Sequence, residues 1–174
     1  MLNLYLLRHA KSSWSGLFVA DFDRPLSGRG RRAARLMADH MAEKGISPDL
    51  VLCSPARRTR QTLDALSKGL PQGARTLFET DLYGGGAGDY LALIKQHGGS
   101  AGAILLIGHN PAIEQLAMLL VGGGGEAAHG PLATAMAEKF PTAALAHIVF
   151  EGADWSDLAP GSGRLVSFIK PRDL

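Results

Sequence analysis

Residues 103–111 read Ala103-Ile104-Leu105-Leu106-Ile107-Gly108-His109-Asn110-Pro111, and the fold turns on them. A short, unbroken apolar run that halts at a glycine predicts a strand buried on both faces. Asn110 is expected to cap, and Pro111 to open, a helix running to about Val121. A buried strand feeding a helix is the repeating unit of a parallel sheet covered by helices.

The same pattern recurs on either side. Leu2–Leu7 is a short apolar run delivering Arg8-His9. Asp49–Cys53 is a second buried-strand candidate. It stops at Ser54-Pro55, a cap residue and a first-turn proline, before a helix to about Lys68 that Gly69 ends. Between these strands, Ser27 should cap a helix to Lys44 in which Ala33, Ala34, Leu36, Met37 and Met41 recur near helical spacing, with Gly45 as its stop. Arg75–Phe78 reads as a short strand, Gly84–Gly86 as a loop, and Asp89–His97 as a helix with Leu91 and Ile94 inward. Leu132–Lys139 is a short helix, and Ala143–Phe150 and Leu165–Ile169 are closing strands. Those two lack an obvious helix between them, so an antiparallel partner is expected. The reading is an α/β fold of three layers, α/β/α, with a mainly parallel sheet and an antiparallel edge strand, in one domain spanning 1–174.

Composition agrees with one packed domain. The chain has 174 residues, 46% hydrophobic and 20% charged, which excludes a disordered chain. A net charge of +2 is too balanced to argue for nucleic acid or an anionic membrane. No apolar run reaches the ~20 residues of a membrane-spanning helix. The N-terminal run lacks a basic leader and is not read as a signal peptide. The single cysteine, Cys53, excludes a disulfide framework and a thiolate zinc site; inside an apolar strand it reads as a core side chain, and a cytoplasmic address is expected. Gly122–Gly125 is not followed by Gly-Lys-Ser/Thr, so it reads as a connection rather than a phosphate loop.

Three strands thus end in chemistry: Arg8-His9, then Ser54-Pro55 with Arg57, Arg58 and Arg60, then Gly108-His109. Ligands of open α/β sheets bind beyond the carboxyl ends of the strands, where these side chains should converge. Guanidinium forks match phosphate oxygens and can grip a dianion from two sides. A histidine among them is a candidate nucleophile at phosphorus, its pKa lowered by neighbouring positive charge. A second histidine, protonated or donating, would stabilise the transferring phosphoryl group. The protein supplies the positive charge, so no metal or cofactor is expected. Taken singly, each histidine is a polar strand end and each arginine a solvated helix face; their convergence on one anion is what favours a site. His40, His97, His129 and His147 show no metal-ligand spacing and read as surface or satisfied core residues.

The motifs Leu6-Leu7-Arg8-His9-Ala10, Arg24-Pro25-Leu26-Ser27, Ser54-Pro55-Ala56-Arg57-Arg58-Thr59-Arg60-Gln61-Thr62 and Gly108-His109-Asn110-Pro111 occur in this order. Through them the chain resembles the histidine phosphatase superfamily, with its phosphoglycerate mutase-like fold. It most resembles the short SixA-type phosphohistidine phosphatases. Ala10 departs from the usual glycine after the Arg-His pair. The resemblance implies that His9 is the phosphorylated nucleophile, that Arg8 and Arg58 bind phosphate, and that His109 is the second pocket histidine. It places Arg24 near the pocket and Ser15 near a polar phosphate contact of longer relatives. Lys11 is expected beside the pocket as a substrate contact; Trp14 and Trp155 are both expected to pack, although the Lys11–Trp14 segment lies nearer the pocket than Trp155. A general acid, where relatives have one, would be Glu79 or Asp81. The implied partner is a phosphorylated protein carrying phosphohistidine, with a small phosphorylated metabolite as the alternative; the absence of long insertions favours the protein. A phosphate-binding module without catalysis would have lost His9, an arginine or His109, and all are present.

Overall fold

A computed structural model describes residues 1–14, 16, 19–122, 130–152 and 154–174. Six strands form one sheet in the order β3-β2-β4-β1-β5-β6. They are β1 (Leu2–Arg8), β2 (Leu50–Cys53), β3 (Arg75–Phe78), β4 (Ala103–Gly108), β5 (Leu145–Phe150) and β6 (Arg164–Ile169). β3, β2, β4 and β1 run parallel, with Leu4–Leu7 opposite Ile104–Ile107 and Leu50–Cys53 opposite Ile104–Ile107 on the other side. The antiparallel strand is β5, one place in from the edge; β6 outside it turns back to the direction of β1.

Alternation along the central strands sorts the helices into two layers. Tyr5, Leu7, Val51, Cys53, Leu105 and Ile107 face one side. There they meet Met37 and Met41 of α1 (Gly28–Glu43) and Leu63 and Leu66 of α2 (Arg57–Leu66). Leu4, Leu6, Leu50, Leu52, Ile104 and Leu106 face the other, against α4 (Ala87–Gly98), α5 (Ala112–Val121) and α6 (Pro131–Glu138). Each such Leu or Ile taken from water contributes about 1.5–3 kcal/mol, which fixes the register that aligns the strand ends.

Local chemistry departs from the sequence reading at several ends. Ser27 caps α1 as expected, accepting the Gly30 N–H at 3.0 Å. Ser54 does not cap α2: the helix begins at Arg57 after Ala56, and the Ser54 hydroxyl lies 2.7 Å from His109 Nε2. Asn110 does not cap α5, which starts at Ala112; its amide donates instead to Glu114 at 2.7 Å and to the Phe140 carbonyl at 3.2 Å. A single-turn helix, α3 (Asp81–Gly84), precedes the glycine loop and takes in its first residue, Gly84. On α4 it is Tyr90, Leu93 and Ile94 that are buried; Leu91 is only half-buried. Gly30 is required by close approach, since a Cβ there would sit 2.0 Å from the Lys11 carbonyl oxygen. That contact ties the N-terminus of α1 to the loop leaving β1. Among the described residues no helix is long and apolar enough to cross a membrane.

Candidate active site

β1, β2 and β4 end at one rim, and their terminal side chains meet there. The rings of His9 and His109 lie 5.0 Å apart between centroids, tilted by 54°. Both histidines are buried, as are Arg58 and Arg24. α2 separates its own arginines: Arg58 turns inward while Arg57 and Arg60 stay exposed.

The tautomer of His9 follows from its contact. Its Nδ1 lies 2.7 Å from the Ala10 carbonyl oxygen. A carbonyl only accepts, so Nδ1 carries the proton and Nε2 keeps its lone pair. Burial, and then Arg58, Arg8 and Arg24, push the His9 pKa down to about 4 despite the opposing pull of that hydrogen bond. His9 is therefore a neutral imidazole near pH 7 with its Nε2 free. Ala10 needs no left-handed backbone; among described non-glycine residues only Ala143 has a positive φ, at 60°. The Ala10 methyl packs with Leu26, Ala34 and Ala143, and its N–H donates to the Thr62 hydroxyl at 3.0 Å.

His109 is set by its backbone as well as its ring. Its N–H donates to the buried Tyr90 hydroxyl at 3.1 Å, which in turn donates to the Leu82 carbonyl at 2.6 Å. Burial first, then His9 and Arg58, lower its pKa to about 3. In the free protein His109 is thus neutral, so of the two forms expected for it the protonated one is not populated near neutrality. Its Nδ1 and the Nε of Arg8 are buried and bonded to no described residue. Arg8 is anchored through Nη1 to the Phe140 carbonyl at 2.8 Å.

Asp21 is a residue the sequence reading missed. One carboxylate oxygen accepts from Arg24 at 2.9 Å, the other from Arg58 at 3.1 Å and from the Tyr83 hydroxyl at 2.9 Å. The Asp21 carbonyl also accepts from Arg58 at 2.7 Å. The hydrogen bond from Arg24 does most to hold the Asp21 pKa down, at about 2, with Tyr83 and Arg58 adding to it. The signal was present: Asp21 stands three residues before Arg24. Arg24 also donates to the Ser12 hydroxyl at 2.7 Å and the Ser13 carbonyl at 3.2 Å. It braces the loop after β1 as well as Asp21. Tyr83 reaches His109 edge-on at 5.7 Å, and Phe22 meets Tyr83 edge-on at 5.0 Å.

The other expected residues fall as follows. Lys11 is exposed beside the end of β1. Ser15 and His129 lie outside the described residues. Glu79 pairs with His97 at 3.1 Å, and Asp81 is exposed at the start of α3. Trp155 is buried in the core, whereas Trp14 is 79% exposed with the Arg24 guanidinium stacked 3.3 Å above its ring. His147 stacks on Tyr5. Among the described residues no cluster of His, Cys, Asp or Glu is placed to hold a metal ion.

A family model described as "Histidine phosphatase superfamily (branch 1)" matches residues 4–82. The solved SixA structure from Agrobacterium tumefaciens is 31% identical and superposes with a TM-score of 0.81, covering 98% of each chain. The chain belongs to the histidine phosphatase superfamily. It is a SixA-type member and hence a phosphatase. An uncharacterised protein of Mycobacterium tuberculosis is 37% identical over 166 residues, covering 95% of this chain and all of the relative. The tungstate complex of the protein histidine phosphatase SixA shares the fold, at 23% identity and a TM-score of 0.78 over 99% of both chains.

Proposed function

We propose that this phosphatase removes phosphate from phosphohistidine on a phosphotransfer protein, through a phosphohistidine intermediate on His9. The observation that carries the covalent step is the hydrogen bond from His9 Nδ1 to the Ala10 carbonyl, which leaves Nε2 unprotonated on a ring whose centroid lies 5.0 Å from that of His109. In the first step Nε2 attacks phosphorus; an N–P bond forms as the bond from phosphorus to the leaving nitrogen breaks. Arg8 and Arg58 hold the phosphoryl oxygens, and the incoming dianion raises the pKa of His109, letting it donate to the charge that builds up. In the second step water attacks the phosphorus on His9, the N–P bond breaks, and inorganic phosphate and free His9 result. No metal or cofactor takes part in either step.

The choice of substrate rests on the acids. Glu79 is occupied by His97, Asp81 is exposed, and Asp21 is ionised between two arginines, so none of the three offers a proton at the reacting centre near pH 7. An alkoxide leaving group needs such a proton; the nitrogen of a phosphorylated imidazole leaves with the proton its own ring carries. A cytoplasmic setting accords with a reduced, buried Cys53.

The test is turnover, side by side, on a phosphohistidine protein and a panel of small phosphomonoesters, for wild type and His9→Ala. The expected result is a preference for phosphohistidine, an acid-labile phosphate trapped on wild type, and no turnover by the variant. Full activity in His9→Ala would remove the intermediate, and preference for small esters would remove the substrate assignment.

A further inference from the structure

Beside the catalytic centre, sharing Arg8 with it, lies a concavity of about 700 Å³. Arg8, Lys11, Arg29, Lys139, Lys170 and Arg172 line it, with Glu138 as its one acidic wall residue. Sheet topology explains the gathering. β5 starts and β6 ends next to the end of β1, so the segment before β5, the turn after β6 and the start of α1 all bring their cations there. Arg8 belongs to both places: its strand neighbour is His9, yet it forms part of the cavity wall. The chain as a whole carries only +2, so six cations against one acid is a concentration of charge. Among the described residues Lys11, Arg29, Lys139 and Lys170 have no carboxylate within ion-pair distance, and Arg172 has only its neighbour Asp173 at 3.7 Å. Another concavity, of about 660 Å³ between α1 and α2, is more evenly charged: three cations, Arg31, Arg35 and Lys68, stand with two acids, Asp39 and Asp64.

We propose that the cavity at Lys139, Lys170 and Arg172 docks an acidic segment of the protein substrate, placing its phosphohistidine at His9. The proposal rests on the reading of the substrate as a protein and adds the chemistry by which that protein is selected. Clustered carboxylates would meet ammonium and guanidinium groups of which, among Lys11, Arg29, Lys139, Lys170 and Arg172, only Arg172 has a carboxylate partner, an arrangement that steers encounter and fixes orientation. No aromatic side chain lines the cavity, so it offers no platform for a nucleotide base. On the loop after β1 that also carries Lys11, Trp14 is largely exposed, and aromatic and arginine side chains of this kind are enriched in protein interfaces.

The experiment uses the full chain and fluorescein-labelled peptides, one containing a run of glutamates and one with glutamines in their place, read by anisotropy at low salt. Lys139→Glu/Lys170→Glu is compared with Arg35→Glu/Lys68→Glu, which changes net charge equally on the other concavity. The expected result is binding of the glutamate peptide alone, weakened at least tenfold in the first variant and less than twofold in the second. Turnover of a small aryl phosphate stays unchanged in both. Equal weakening in the two variants, or equal binding of the two peptides, overturns the docking site. Tripolyphosphate binding more tightly than the glutamate peptide, and lost in the first variant, overturns the protein partner in favour of a small polyphosphate. Peptide binding is measured without turnover, so failure of the phosphohistidine assignment registers only in the hydrolysis assay.

Discussion

Acid titration probes the proposed centre most directly, because protonation of His9 removes the lone pair that the proposed covalent step uses. Burial beside Arg58, Arg8 and Arg24 places that event at about pH 4, against 6.5 for an ordinary imidazole. At pH 5 a group with a pKa of about 4 is roughly 90% neutral, and one with the ordinary value is about 3% neutral, a difference of about thirtyfold in competent enzyme. The assay is kcat/KM from pH 4 to 8, which reports the free enzyme. Two aryl phosphates whose second ionisations differ separate the substrate's titration from that of the enzyme. The 13C–1H resonance of His9 Cε1, assigned by its loss in His9→Ala, gives the midpoint independently. Stability should follow the same group. The unfolded chain takes up its proton near pH 6.5 and the folded one near 4, so the stability due to neutral His9 is complete above 6.5. It is lost as pH falls from there to about 4, a change of about 3 kcal/mol from the 2.5-unit shift. A Cε1 midpoint between 6 and 7, with an activity limb at the same pH for both substrates, would refute this account of how the site is charged.

Two substitutions examine the supporting residues. Arg58→Gln removes a buried guanidinium whose charge-assisted bonds are worth about 1.5–3 kcal/mol, so kcat/KM should fall by about 10- to 150-fold, while exposed Arg57→Gln stays within about twofold. Tyr90→Phe leaves the His109 N–H and the Leu82 carbonyl without their partner. It should cost about 1–3 kcal/mol, seen as a drop of several degrees in Tm, together with a several-fold loss in kcat that Arg57→Gln does not share.

The sheet was legible because burial on both faces leaves an unmistakable mark: Leu4–Leu7, Leu50–Cys53 and Ile104–Ile107 are unbroken apolar runs, and each stops where its chemistry begins. His9, His109 and Arg58 could be placed at one rim because parallel strands carry their ends to the same side. Caps were less legible. Ser54 and Asn110 have the residue types of helix caps, but each can satisfy its side chain elsewhere, Ser54 on His109 and Asn110 on Glu114 and Phe140. A choice among partners distant in sequence leaves no local trace. Asp21 was missed for the same reason: its sequence position suggests a pair with Arg24, while its partners Arg58 and Tyr83 lie 37 and 62 residues away.

Asp21 also shows how a site rich in arginine keeps its shape. Two buried guanidiniums near two histidines repel one another and would splay apart without an anion between them. Asp21 supplies that anion from a short turn in which the carboxylate stays nearly half exposed; its charge draws the His109 pKa upward, but burial, His9 and Arg58 outweigh it and the ring stays neutral. Arg58 is gripped through the Asp21 backbone carbonyl as well as the carboxylate. A phosphoryl group can therefore draw on the carboxylate-facing donors while the backbone bond still holds the guanidinium in position. The centre is thus organised for an anion before one arrives. The neighbouring basic cavity carries no such internal counter-charge beyond Glu138, and its balance is left to what binds there.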